Sequence, residues 1–177
     1  MSYDANAVAN FFLSLARAEG KPLDQMKLQK LVYYANGWNL AIKGKPLIDE
    51  QVEAWRYGPV IPSLRESFRQ YGDQPIEAPA SYLVSQSEWD DVEEVVPTIE
   101  QEDRADLGFV RSLLERVWQV YGKYTGVQLS NLTHEPGSPW DHVYQTYDGK
   151  IPKGTDIPAE VIREHFVSLA KQKAANA

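Results

Sequence analysis

DQMKLQKLVYYANGWNLAIK, residues 24–43, decides the fold. Leu28, Leu31, Val32, Ala35, Trp38 and Ile42 recur at helical spacing, which predicts one long helix with that stripe buried and Lys27, Lys30 and Lys43 off it. Gly44 and then Pro46 close the helix in the usual order. Gly37 inside it costs roughly 1 kcal/mol against alanine, so another chain element is expected to pass close by.

Outward from this helix the pattern stays mainly helical. Asp4 is expected to cap a first helix carrying Val8, Phe11, Phe12 and Leu15, with Gly20 as its stop. After Pro46 the period changes. Gln51 to Trp55 alternates polar and apolar, predicting a short strand that Tyr57-Gly58-Pro59 ends in a turn. Ile61, Leu64, Phe68 and Tyr71 return to helical spacing up to Gly72. Val92 to Ile99 offers a second strand to pair with the one near Val52, and a helix resumes near Asp103 with Leu107, Val110, Leu114, Val117 and Tyr121 on one face. Thr125 and Gln128 have capping-box spacing for a short helix through Leu132. Ser138-Pro139-Trp140-Asp141 supplies a cap, a proline at the first helical position and an acid in the first turn. Asp156 is read as the cap of a last helix containing Ile162, Phe166 and Leu169, with residues 171–177 frayed. The fold class expected is mainly α (α+β): residues 1–177 as one compact multi-helix domain with a small antiparallel two- or three-stranded β element.

Composition narrows the function. The 177 residues are 43% hydrophobic and contain no cysteine, which favours a packed core and excludes disulfides, thiolate metal sites and cysteine nucleophiles. No apolar run is long enough to span a membrane, and the acid at Asp4 is unlike a secretory leader, so a cytoplasmic protein is expected. The net charge of −7 is concentrated in one place: residues 73–106 hold eleven acids and one base. Such a field repels phosphate backbones and suits a basic protein surface better than nucleic acid.

Catalytic patterns are missing. His134 and His142 are separated by a Pro- and Gly-containing segment that no single helix spans, and His134-Glu135 lacks the second histidine of a zincin. His165 falls on the apolar face of the last helix, where a hydrogen-bonded core role is the plain reading. No Gly-x-Ser-x-Gly elbow, phosphate loop or Gly-x-Gly-x-x-Gly motif occurs. Asp90-Asp91 and Glu93-Glu94 would suit a hard cation or, more simply, a solvated acidic face. The two short helices between Thr125 and Tyr144 imitate a helix-turn-helix, but the second carries Asp141, His142 and Gln145 and no Lys or Arg. No catalytic residue, metal ligand or cofactor site is therefore assigned.

Three blocks carry a resemblance. Met26 to Trp38, Glu53 to Pro62 with its Trp-x-x-Gly-Pro-Val turn, and Leu129 to His134 followed by Pro139-Trp140 resemble, in order, the signature elements of the Panacea (SocA-like) antitoxin domain. The resemblance implies the antitoxin of a toxin–antitoxin pair, neutralising a protein toxin by direct contact. One member of that family instead delivers its toxin to the ClpXP protease, which makes a protease adaptor the alternative; a DNA-binding regulator ranks below both. Candidate partner-binding residues are Trp55, Tyr57, Pro59, Val60, Glu88, Asp90, Asp91, His134 and Trp140. Each also has a structural reading: Trp55 as core, Gly58 as a turn residue, and His134 as a brace for the turn before Pro139 with Trp140 packed behind it.

Overall fold

The computed structural model describes residues 2–85, 92–101 and 104–177. In chain order these form α1 (Ala5–Ala18), α2 (Gln25–Lys43), β1 (Glu53–Trp55), β2 (Gly58–Val60), α3 (Pro62–Ser67) with a 3₁₀ turn at Arg69–Tyr71, β3 (Tyr82–Ser85), β4 (Val92–Val95), α4 (Leu107–Tyr121), α5 (Gly126–Thr133), α6 (Pro139–Thr146) and α7 (Ala159–Ala175). The mainly helical α+β class expected from the sequence is what forms. Helix starts follow side-chain chemistry: Asp4, Asp24 and Ser138 each accept a first-turn backbone N–H, and Thr125 with Gln128 closes a full capping box.

α2 is the axis of the molecule. α1, α4, α5, α7 and β2 all pack on it, so both its faces are covered and the single-stripe reading underestimates its burial. Lys30, expected off the buried face, is 2% exposed, whereas Ile42 near the C-terminal end is 56% exposed. The polar residues forced inward each anchor a loop. Asn36 accepts the Leu47 N–H at 2.9 Å, Asn39 donates to the Lys45 carbonyl at 2.8 Å, and Gln29 both donates to and accepts from Ile61. The close approach expected at Gly37 is made by Phe166 of α7, whose ring occupies the space a Cβ would need. That ring packs edge-on against Tyr33, Tyr34 and Trp38.

The β structure differs from the expectation. β1 pairs with β2, so Gly58-Pro59 belongs to a return strand rather than ending the first one. Val92–Val95 pairs with Tyr82–Ser85 in a separate ribbon, not with the strand near Val52. The ribbon is clamped at its base: buried Asn10 of α1 donates to the Ala80 and Pro97 carbonyls and accepts the Ala80 N–H. Two further readings are corrected. Asp156 forms a β-bridge with Glu53 instead of capping α7, which begins after Pro158 without a side-chain cap. Residues 171–175, expected to fray, continue that helix.

Candidate functional site: a clamped hairpin

The register Ala54↔Pro59 and Trp55↔Gly58 leaves Arg56-Tyr57 as the two-residue turn of the β1–β2 hairpin. Gly58 takes φ +104°, and a Cβ there would strike Thr133 Oγ1 of α5. Only glycine satisfies both demands.

The hairpin is too short to hold itself, and three helices hold it by its carbonyls. From α6, Trp140 Nε1 donates to Trp55 O at 2.6 Å. From the end of α5, His134 Nε2 lies 3.1 Å from Arg56 O while its Nδ1 lies 2.6 Å from Ser130 O, and Ser130 Oγ donates to Tyr57 O at 2.8 Å. From α2, Lys30 Nζ donates to Pro59 O at 2.9 Å, and the Gln29 amide grips both N–H and C=O of Ile61. The His134 ring also rests on Trp140, with centroids 4.1 Å apart. Each of the three sequence blocks thus contributes to one object: one block is the hairpin, and the other two supply its supports.

Burial sorts the candidate residues. Ala54, Pro59 and Val60 face inward, so Pro59 and Val60 lie in the support of the turn rather than on its outer surface. Trp55, expected in the core, is 36% exposed because the strand's alternation places Ala54 inside instead. Its Nε1 donates to Glu53. Tyr57 is 57% exposed, with the Arg56 guanidinium 5.4 Å from its ring centre. His134 and Trp140 are half-buried braces. Glu88, Asp90 and Asp91 lie outside the described residues.

Two grooves flank the turn. A larger one of about 690 Å³ runs between the starts of α2 and α5, the hairpin and α3, and includes Gln29, Lys30, Trp55, Arg56, Tyr57 and Arg65. A smaller one of about 480 Å³ lies on the other side, between Trp55, Trp140, Tyr144 and Ile151. Burial pushes the Lys30 ammonium down to about 7. Arg56, Gln29, Lys30 and Ser130 were absent from the sequence candidates; all four nevertheless sit inside the quoted blocks, which was the one available signal.

The other histidines form no centre with His134. His165 is only half-buried, beside Phe166 rather than within the core, and burial lowers its pKa. Among the described residues no group of three or more His, Asp or Glu side chains is placed to hold a metal ion, and no helix is long and apolar enough to cross a membrane.

Comparison with known proteins agrees with the motif blocks. The family described as "Antitoxin SocA-like, Panacea domain" matches residues 28–141, the span that contains both the hairpin and its supports. The protein named Antitoxin SocA from Caulobacter vibrioides (strain NA1000 / CB15N) is 32% identical over 165 residues, covering 93% of this chain and 83% of that protein. No solved structure matches. The chain belongs to the SocA-like antitoxin family with a Panacea domain.

Proposed function

We propose that this protein is an antitoxin that neutralises a protein toxin by direct contact, with the Trp55-Arg56-Tyr57 turn at the centre of the contact surface. One observation carries the reading. Five side chains from α2, α5 and α6 hold the hairpin, and they leave Trp55, Arg56 and Tyr57 directed outward. Tryptophan, tyrosine and arginine dominate binding energy at protein interfaces, and a turn fixed in advance loses little conformational entropy on binding. A non-enzymatic role in the cytoplasm fits this surface. The proposed unit is the whole chain as one domain, since buried residues from α1 to α7 join a single core cluster.

The test is co-expression. The neighbouring gene is placed under tight induction, and growth is followed with this chain, with its Trp55→Ala/Tyr57→Ala variant, and without it. Toxin abundance is read by immunoblot in cells with and without ClpXP. Rescue at constant toxin level, weakened by the double variant, is expected. Rescue that requires ClpXP and lowers toxin level would replace occlusion by the adaptor mechanism. A harmless neighbour, or a toxic one that the chain fails to restrain, would remove the antitoxin reading.

A further inference from the structure

An ammonium group at 2% exposure is an unfavourable donor to use for one carbonyl. An uncharged amide does the same job next door, where Gln29 serves Ile61. Lys30 has three N–H donors, and the hairpin uses one of them at Pro59. Among the described residues no carboxylate forms an ion pair with it, and burial alone accounts for its lowered pKa. The positive charge that Lys30 carries below about pH 7 is therefore uncompensated in the groove wall.

The rest of the larger groove fits the same idea. Arg56 and Arg65 line it as well. Its two acids offset this only in part, because Asp24 is engaged as the α2 cap through the Lys27 N–H and Asp73 is exposed. Three of the protein's exposed large apolar side chains gather at its edge: Trp55 at 36%, Tyr57 at 57% and Val127 at 63%. Cationic wall and apolar rim together suit one kind of occupant.

We infer that this groove receives a segment of the partner protein in which an aspartate or glutamate side chain is flanked by apolar residues, the carboxylate directed at Lys30. The inference rests on the antitoxin reading for who the partner is. The carboxylate preference belongs to the groove itself and is measurable without any toxin.

Phenylacetate and its neutral isostere phenylacetamide are the probes, titrated into the intact chain and followed by amide chemical shifts. Phenylacetate is expected to give saturable shifts centred on Tyr57, Gly126 and Val127 at the groove edge, with affinity about tenfold above the amide. Lys30→Met is expected to bring the two probes to equal affinity. Equal binding of both probes by the native chain, shifts centred elsewhere, or an undiminished preference in Lys30→Met would each overturn the inference. Should Lys30→Met fail to fold, the native chain decides through pH. The preference should fade as pH rises through about 7, where Lys30 loses its charge and Arg56 and Arg65 keep theirs. A preference unchanged at pH 9 would overturn the inference. The outcomes separate from those of the rescue assay. Rescue without carboxylate preference removes the groove and keeps the antitoxin; carboxylate preference without rescue does the reverse.

Discussion

At Gly37 two effects of known size oppose each other. Alanine is the better helix former by about 1 kcal/mol, but its methyl would enter the space of the Phe166 ring, which is fully buried and boxed in by Tyr33, Tyr34 and Trp38. Overpacking of a filled core costs about 1–3 kcal/mol, so Gly37→Ala should lower stability in urea denaturation, and a stabilised variant would show that α7 can slide. Lys30 makes a second residue-scale prediction, in pH. Its folded pKa of about 7 lies below the ordinary 10.5, so between those values the unfolded chain binds more protons. Stability should therefore rise with pH above 7, by up to about 1.4 kcal/mol per pH unit from this group. Lys27, also lowered by burial, acts in the same direction. Above pH 10 the buried Tyr33 and Tyr34, whose pKa values are raised, reverse the trend because the folded state then holds the extra protons. Lys30→Met should flatten the rise between pH 7 and 9; a slope that survives in the variant would place its origin elsewhere.

Among the elements, the β3–β4 ribbon depends most on something outside itself. Both strands are largely exposed, and an isolated two-stranded ribbon is marginal in water. Asn10 supplies the missing support through three bonds of 2.8–3.0 Å to Ala80 and Pro97. Asn10→Ala leaves those backbone groups buried without partners, at about 1–3 kcal/mol. Hydrogen exchange should accelerate at 82–85 and 92–95 while α2 amides keep their protection; an unchanged ribbon would mean its strands hold themselves. The ribbon also marks the boundary of what the sequence discloses. Caps are local, so Asp4, Asp24, Thr125 with Gln128, and Ser138 announce helix starts within a residue. Pairing partners are not local: alternation near Val52 and Val92 suggests strands but cannot say that each pairs with a different neighbour. Parity is equally hidden, since nothing in Glu53-Ala54-Trp55 reveals that the small residue and not the large one faces inward. The candidate site was legible as motif blocks and illegible as a clamp, because His134, Trp140 and Lys30 meet the hairpin across separations of 29 to 85 residues. Lys30 was misplaced for a related reason: amphipathic spacing assumes one wet face, and α2 has neighbours all round.

Across the whole molecule, charge is segregated. Residues 73–106 hold eleven acids and one base, while the flanking stretches are close to neutral. The hairpin end, by contrast, presents Arg56 and Arg65 with Lys30 beneath them. If the partner toxin presents a basic surface, as a protein that handles RNA or nucleotides often does, an acidic region of this size would draw it in before short-range contacts form. Such steering acts on association and is screened beyond roughly 8 Å at physiological salt. The test reverses Glu88, Asp90, Asp91 and Glu93, four of the eleven acids, to lysine. In stopped-flow mixing with the toxin identified by rescue, the association rate at low salt should fall about tenfold or more, its salt dependence should flatten, and the dissociation rate should stay near its native value. A changed dissociation rate with an unchanged association rate would make these acids part of the contact itself. If neither rate moves, the acidic segment serves something other than toxin capture, and the binding energy rests on the hairpin face alone.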